Sequence, residues 1–299
     1  MTEHLKYLQN SVKASESFFG HGVAYGTFGE LIQGILPNKK DFMVTLPVKL
    51  YSNVKFIPDF NTSCLEVFPS HKIKSKSLVK IILNYFGLNI GGQLIIDSEI
   101  IEGKGLASSS ADLVATTKAM SKVLRFNITP ELTCKFLQLI EPSDGVMYKG
   151  ITSFYHKELK LIESLGYLKN VLIIGVEDGG TLDTIEYNLK KRYYLEDVFK
   201  YQDMLFTISN AIKNQDLKTI GKISSESAIL NQKNNYKKLL KPLLEICEQI
   251  QGIGVVVAHS GTYSGIMLDK TSDNYSFQKS VCVARLKNIV SQVNFFHPI

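Results

Sequence analysis

The sequence has no run of about 18 or more apolar residues, the length that a membrane-spanning helix requires. Residues 1–6 do not combine a basic stretch with an apolar block, so no secretory signal is predicted. Cysteine is scarce, and its four positions form neither a CxxC pair nor a Cys/His cluster. This spacing argues against a zinc site and a disulfide framework. We therefore expect a cytoplasmic protein with free, mostly buried thiols at Cys64, Cys134, Cys247 and Cys282.

A long basic arm with interleaved aromatic residues is also absent, although the net charge is +6. The lysines fall in short, dispersed groups, which is typical of a solvated surface, and nucleotide phosphates need only one or two of them. The contents of 44% hydrophobic and 21% charged residues are those of a globular protein rather than a disordered one. Charge alone does not choose between nucleic acid, a membrane surface and an anionic small molecule as the partner.

The chain has no low-complexity linker and no internal repeat, and its apolar periodicity predicts a mixture of strands and helices. Strands are expected over 23–26, 41–46, 50–57, 92–97, 150–156, 171–176, 254–258 and 266–268. Helices are expected over 75–85, 107–124, 129–141, 195–213, 217–230 and 237–249, with a helix or strand over 276–291. This non-alternating order favours an α+β protein with two lobes and a seam near residues 150–165.

The most informative segment, residues 102–112, reads EGKGLASSSAD and lies between a predicted strand and a predicted helix. Two glycines let the backbone approach an anion closely, and N–H groups at the helix start can point at phosphate oxygens. The serines supply hydroxyls for phosphate or Mg²⁺, and a lysine supplies positive charge. The segment matches neither the Walker loop nor the dinucleotide glycine motif, and simple helix capping is the alternative. The candidate phosphate-binding residues are Gly103, Lys104, Gly105, Leu106, Ala107, Ser108, Ser109 and Ser110.

Residues 102–111 resemble the second motif of the GHMP kinases, usually written P-x-x-x-G-L-G-S-S-A-A. Two positions depart from it, because Ile101 replaces the proline and Ala107 replaces a glycine. Five further segments resemble the L-threonine kinase branch that serves cobalamin side-chain synthesis, and they occur in the order of that branch. They are GTFGELIQG at 26–34 followed by DFMVTLP at 41–47, KG at 104–105, EPSDGVMY at 141–148, DT at 183–184 and GVVVAHSGT at 254–262.

The resemblance implies a two-lobed GHMP-kinase-like α+β fold. Residues 1–160 would form the ATP-binding lobe of ribosomal-protein-like α/β type, and residues 161–299 a ferredoxin-like α+β lobe. The implied activity is phosphorylation of the side-chain hydroxyl of a free amino acid, L-threonine to O-phospho-L-threonine, with ATP and Mg²⁺ as cofactors. The expected partner is this small molecule, with no nucleic acid and no membrane, and a homodimer remains open.

Two acids, Glu141 and Asp144, follow a predicted helix and are separated by Pro142, so that the chain turns and both carboxylates can face one cleft. In the kinases that the chain resembles, a loop serine and a carboxylate hold Mg²⁺. The resemblance therefore assigns Ser109 and Glu141 to the metal and Asp144 to the acceptor hydroxyl as a base or orienting group. An ordinary turn with an exposed cap is the alternative, because Asp and Gly are common turn residues.

The remaining candidates lie further along the chain. Asp183, in a glycine-containing loop with Thr184, can bind an α-ammonium group or replace Asp144 as the base, while an exposed hairpin is the alternative. Lys104 joins the catalytic candidates as a neutralising charge. Glu30 either lines the acceptor or nucleotide site or forms a structural salt bridge. A loop after an apolar strand often lines a site, which makes His259, Ser260 and Gly261 candidates for substrate binding or structural support.

Two other functions stay open at this point. Another alcohol, such as L-serine, homoserine or a specialised-pathway intermediate, can be the acceptor. A catalytically silent relative that binds RNA or protein is the second alternative, because one fold hosts many functions. The presence of the glycine-serine segment and both acids argues against the silent relative.

Overall fold

The computed structural model describes residues 18–179 and 195–299. Within these ranges the chain forms ten strands and seven helices. The strands are β1 (Gly20–Ile35), β2 (Asp41–Asp59), β3 (Leu65–Phe68), β4 (Gly91–Ser98), β5 (Ile151–Tyr155), β6 (Lys160–Gly166), β7 (Val171–Glu177), β8 (Gly254–Val257), β9 (Tyr263–Asp269) and β10 (Asn294–Phe296). The helices are α1 (Ile73–Tyr85), α2 (Ser108–Leu124), α3 (Pro130–Leu137), α4 (Leu195–Lys213), α5 (Leu217–Asn231), α6 (Leu240–Gln249) and α7 (Tyr275–Lys287).

The ten strands form one sheet in the order β10-β7-β9-β8-β1-β2-β4-β3, while β5 pairs with both β2 and β6. Among the described strands the β3–β4 pair is parallel and the other pairs are antiparallel. The two halves of the chain meet where Glu30 of β1 pairs with Val257 of β8. The division into lobes at residues 160 and 161 remains a prediction.

Strand β1 is irregular at the point that matters most for the site. Its pairing with β2 shifts register between Thr27 and Glu30 and again between Glu30 and Ile32, and Gly29 lies in the left-handed region with φ of 55°. A bulge of this kind re-aims the side chains that follow it. The bulge therefore determines the direction of Glu30.

Strands β7 and β8 are buried on both faces of the sheet. Ile173 and Val256 belong to one apolar cluster, whereas Ile174 and Val257 belong to another. Helix α2 packs against β1 and β2, and α5 packs against β8 and β1. Burial on both sides explains why these strands read as continuous apolar runs rather than as alternating patterns.

Most predicted elements are confirmed, and most of their ends differ by a few residues. Two predictions are corrected: β1 continues nine residues beyond 26, to Ile35, and the strands expected over 41–46 and 50–57 form the single strand β2, because β1 and β2 stay paired through their register shifts. The predicted N-cap of α3 is present, since Thr129 Oγ1 accepts a hydrogen bond from Leu132 N at 3.3 Å. The helix ends at Leu137 rather than near residue 141, because residues 138–141 continue as tighter turns. Strands β3, β6 and β10 were not predicted. The described cysteines are free, and Cys64 is the exposed one among them.

Candidate active site

A cavity of about 800 Å³ opens where the starts of α1 and α2 meet the turn at 141–144. Most of the residues that the sequence nominates line this one cavity. They are Glu30, Gly103, Gly105, Leu106, Ala107, Ser108, Ser109, Ser110, Glu141, Asp144 and Ser260. The structure thus brings together segments that are far apart in the sequence.

The start of α2 is open to the cavity. Ala107, the residue before the helix, has φ of 60° and ψ of 31°, and its carbonyl accepts the first helical hydrogen bond from Ala111 N at 2.9 Å. No side chain among the described residues caps the helix. The N–H groups of the first turn therefore remain available to an anion, where the helix dipole also favours negative charge. The alternative that the serines merely cap the helix is not observed.

The loop after β8 supports the glycine loop from behind. Thr262 N donates a hydrogen bond to Lys104 O at 3.2 Å. The two backbones approach so closely that a Cβ on Gly261 would lie 2.1 Å from Lys104 O, and one on Gly105 would lie 2.7 Å from Gly261 Cα. Gly261 O accepts a hydrogen bond from Lys237 Nζ at 2.6 Å. These contacts fix the shape of the glycine loop.

The structure places Lys104 differently from the other members of the loop. Its ammonium group forms an ion pair with Glu177 at the end of β7. The backbone on either side of Lys104 lines the cavity, but its side chain does not. The Lys104 ammonium group therefore lies beside the cavity rather than in its lining.

The two acids of the turn each contact one serine of α2. Ser109 Oγ donates to Glu141 Oε1, and Lys74 forms an ion pair with the same carboxylate. Ser110 Oγ donates to Asp144 Oδ2 at 3.0 Å. The Glu141 side chain is 13% exposed, so it is not an exposed cap.

Burial raises the pKa of Asp144 to about 7, and the nearby Glu30 carboxylate adds to this effect. The hydrogen bond from Ser110 acts in the opposite direction, because it stabilises the charged form. A carboxyl group with a pKa near neutrality exchanges a proton readily at physiological pH. This pKa suits a general base, and that role of Asp144 stays a prediction.

The Ser109 hydroxyl and the Glu141 carboxylate are both oxygen donors, which suits Mg²⁺. No group of three or more His, Cys, Asp or Glu residues in the described parts of the chain is arranged so that it could hold a metal ion. Mg²⁺ commonly uses one or two carboxylates together with phosphate oxygens and water, so a full protein cage is not needed. These residues fit a magnesium ion that is bound together with a nucleotide.

Glu30 both lines the cavity and is held by His259. It lines the cavity and is 3% exposed, and its Oε2 accepts hydrogen bonds from His259 N at 3.0 Å and from His259 Nδ1 at 3.2 Å. His259 itself is buried and its Nε2 contacts Ser227 Oγ at 2.9 Å. The imidazole therefore lies behind Glu30 rather than in the cavity lining.

Sequence reasoning missed a buried ion pair beside the glycine loop. Lys72 Nζ lies 2.5 Å from Asp112 Oδ2 on α2 and 2.6 Å from Glu102 Oε1. Burial acts to lower the pKa of Lys72, but hydrogen bonds from its ammonium to Asp112 and Glu102 outweigh burial and raise it. An aspartate on the buried face of a helix was the available signal.

Four further lining residues were not nominated from the sequence, although one of them, Gln33, lies in the GTFGELIQG segment. Lys74 and Lys157 pair with Glu141 and Asp41, respectively. Gln33 and His156 are buried polar residues in the same lining. Asp183 and Thr184 lie outside the described residues.

Comparison with known proteins finds similarity over part of this site. Residues 74–151, which contain α1 from its second residue onward, α2 and the acidic turn, match the family model described as the GHMP kinases N terminal domain. The chain is related to the GHMP kinases. An L-threonine kinase from Citrobacter freundii is 28% identical over 258 residues, which cover 84% of this chain and 87% of the relative. An L-threonine kinase from Salmonella typhimurium is 26% identical over 271 residues, covering 88% of this chain and 85% of the relative.

The fold agrees with this relationship. The homoserine kinase structure from Cytophaga hutchinsonii superposes with a TM-score of 0.71 at 12% identity, covering 94% of each chain. Likeness at this identity shows the fold alone, and it confirms the expected GHMP-kinase-like α+β class. Within the described residues, none of the helices combines the length and apolarity needed to cross a membrane.

Proposed function

We propose that this GHMP-family kinase transfers the γ-phosphoryl group of ATP to the side-chain hydroxyl of L-threonine, forming ADP and O-phospho-L-threonine. The observation that carries the proposal is that the uncapped start of α2 and the Asp144 carboxyl group line the same cavity. Phosphoryl transfer requires these two features together, an anion site for the nucleotide and a group that orients the acceptor hydroxyl.

The nucleotide phosphates would bind the N–H groups of Ser108, Ser109 and Ser110, with the glycine loop wrapped around them. Lys104 adds positive charge behind this loop. Ser109 and Glu141 would hold Mg²⁺, which neutralises phosphate charge when it is bound. Because ATP is a cytoplasmic metabolite, we propose the cytoplasm as the place of the reaction.

Asp144 would accept the proton of the acceptor hydroxyl or orient that hydroxyl for in-line attack. Its contact with Ser110 holds the carboxyl group beside the first turn of α2. Most of the acceleration in such reactions comes from positioning and electrostatics. Asp183 remains the alternative base. Glu30, Thr184 and Ser260 remain the acceptor-side residues, whereas Gly261 supports the glycine loop from behind.

We choose L-threonine as the proposed acceptor because both curated relatives named above are L-threonine kinases and align over most of this chain. L-Serine and L-homoserine are the nearest alternatives, since they also carry a hydroxyl near an α-amino acid group. The fold alone does not separate these acceptors, because homoserine kinase shares it.

The test is an ADP-release assay with the full chain, Mg²⁺, ATP and a panel of L-threonine, L-serine, L-homoserine and simple alcohols. Phosphorus NMR identifies the phosphorylated product. We expect L-threonine to give the highest kcat/KM and O-phospho-L-threonine to accumulate in proportion to ADP. If another alcohol released ADP faster than L-threonine, that alcohol would be the acceptor instead. If the protein failed to bind Mg-ATP in calorimetry, a catalytically silent relative would be favoured.

A further inference from the structure

Three buried polar side chains form one chain of contacts that ends in the cavity. Glu30 lies on β1, His259 in the loop after β8, and Ser227 on α5. His259 Nδ1 is 3.2 Å from Glu30 Oε2, and His259 Nε2 is 2.9 Å from Ser227 Oγ. Each of the three residues is at most 3% exposed. Buried polar groups of this kind fix one another in a single orientation.

The pattern of donors shows which atom of Glu30 is held. A carboxylate oxygen only accepts hydrogen bonds, so His259 Nδ1 carries the proton and donates it to Oε2. The backbone N–H of His259 donates to the same oxygen at 3.0 Å. No donor among the described residues contacts Oε1. One carboxylate oxygen is thus anchored, and the other is left for a ligand in the cavity that Glu30 lines.

No lysine of the described cavity lining pairs with Glu30, whereas the buried Lys237 ammonium, bound to Gly261 O outside that lining, interacts with Glu30 through its charge. The lysines of the described lining are paired elsewhere, Lys72 with Asp112, Lys74 with Glu141 and Lys157 with Asp41. Glu30 also raises the pKa of Asp144, which shows that the two carboxyl groups share one electronegative region. A positively charged group on the acceptor would be attracted to this region.

We propose that Glu30 binds the ammonium group of the acceptor, and that His259 and Ser227 are positioning residues that hold its carboxylate. This inference rests on the proposed function and defines the class of acceptor: hydroxyl compounds that carry an ammonium group close to the hydroxyl. Glu30 rather than Asp183 then recognises the amino acid. Selectivity for amino acids over plain hydroxy acids depends on this contact.

The order of contacts, serine to histidine to carboxylate, is that of a hydrolase triad, but the burial excludes that chemistry. Ser227 is 1% exposed and does not line the cavity, so an acyl substrate has no access to its hydroxyl. In a hydrolase the serine must face the substrate. Here it is the carboxylate that faces the cavity.

The test compares three acceptors: L-threonine, (R)-3-hydroxybutyrate, which lacks the ammonium group, and (R)-1-amino-2-propanol, which lacks the carboxylate. In Glu30→Gln we expect kcat/KM for both ammonium-bearing compounds to fall by about 10- to 100-fold, as for loss of a charge-assisted hydrogen bond. The value for (R)-3-hydroxybutyrate and the KM for ATP should change by less than about threefold by the same reasoning. Glu66→Gln, an exposed carboxylate on β3, is the matched control.

The positioning residues are tested through a selectivity ratio, the kcat/KM for L-threonine divided by the kcat/KM for (R)-3-hydroxybutyrate. His259→Leu should reduce the preference for L-threonine over (R)-3-hydroxybutyrate, mainly through KM. His259→Asn, whose amide N–H can replace Nδ1–H, should restore part of that preference. Ser227→Ala removes only the outer contact and should have the smallest effect. Thermal unfolding of each variant identifies general loss of structure, which would lower activity with all acceptors equally.

Calorimetric titration of the three compounds in wild type and Glu30→Gln gives the comparison without turnover. Threonine turnover with an unchanged selectivity ratio in Glu30→Gln would overturn this inference and leave the kinase proposal standing. The inference would also be overturned if Asp183→Asn, and not Glu30→Gln, abolished the preference. Absence of both threonine binding and threonine turnover in wild type would overturn the two proposals together.

Discussion

Ser110 and Asp144 exchange two hydrogen bonds. Ser110 Oγ donates to Asp144 Oδ2 at 3.0 Å, and Asp144 N donates to Ser110 Oγ at 3.1 Å. One residue belongs to the first turn of α2 and the other to the acidic turn, so the anion site and the proposed base are held in a fixed relation. A kinase that relies on positioning requires such rigidity.

The pH dependence of the reaction follows from the raised pKa of Asp144, about 7. A base must be deprotonated to accept a proton, so kcat/KM for the acceptor should rise with pH and level off above that value. Asp144→Asn should lower kcat by about 100- to 10,000-fold, the usual contribution of a general base. The measurement is a profile of kcat/KM for the acceptor at saturating Mg-ATP. The profile runs from about pH 5.5 to about pH 9, so that it extends roughly two pH units to either side of the expected midpoint.

The residual activity of Asp144→Asn provides the control. In this variant the rise of kcat/KM near pH 7 should disappear, because the carboxyl group that titrates there is absent. A wild-type profile that is flat across this range would show that Asp144 does not act as the base. In that case the profile of Asp183→Asn would be the next comparison.

Local signals in the sequence were sufficient for most of the secondary structure. The Thr129 cap and the glycine after α1 act over a few residues, so their effects are visible in the sequence alone. Strand β6 was missed because its exposed, partly charged residues give no apolar pattern, and β10 has only three residues. The glycine-serine segment was recognisable because its chemistry depends on adjacent residues.

The contacts that complete the site could not be predicted in this way. Glu30 and His259 are separated by 229 residues, and their contact depends on the pairing of β1 with β8. The Lys72–Asp112 pair likewise depends on how α1 packs beside α2. Long-range packing of this kind leaves no periodic signal in one sequence.

Ala107 occupies a backbone conformation that disfavours side chains, with φ of 60°. Ala107→Gly should raise the free energy of unfolding by roughly 0.5–1 kcal/mol, because relief of left-handed strain exceeds the entropy lost by glycine. Urea unfolding measures this change. Ala284→Gly on the exposed face of α7 is the control, and it should lower stability by about 1 kcal/mol. Equal destabilisation by both substitutions would contradict the left-handed geometry at residue 107.

The buried Lys72–Asp112 pair should contribute to stability in proportion to its burial. The two side chains are 11% and 4% exposed, respectively. Asp112→Asn should lower the free energy of unfolding by about 3 kcal/mol, because it leaves a buried charge without its closest partner. Glu102→Gln removes the exposed partner of the same lysine and should change stability by less than about 1 kcal/mol. If Asp112→Asn and Glu102→Gln lowered the free energy of unfolding by similar amounts, the buried Asp112 would not be the main partner of Lys72.

The contact between Gly261 and the glycine loop should control nucleotide affinity. A methyl group at residue 261 would lie 2.1 Å from Lys104 O, so Gly261→Ala must displace the loop. We expect the Kd for Mg-ATP to rise by about tenfold or more, equivalent to about 1.4 kcal/mol. Calorimetry measures the Kd, and Ser260→Ala, one residue earlier, is the control. Unchanged affinity in Gly261→Ala would mean that the loop does not bind the phosphates.

The most direct test of the whole account is a crystal structure of the protein with Mg²⁺, a non-hydrolysable ATP analogue and L-threonine. The account predicts phosphate oxygens within hydrogen-bond distance of the N–H groups of Ser108–Ser110 and a metal ion between Ser109 and Glu141. The threonine hydroxyl should then face both Asp144 and the γ-phosphate. A nucleotide bound elsewhere, with the start of α2 exposed to solvent, would contradict the account.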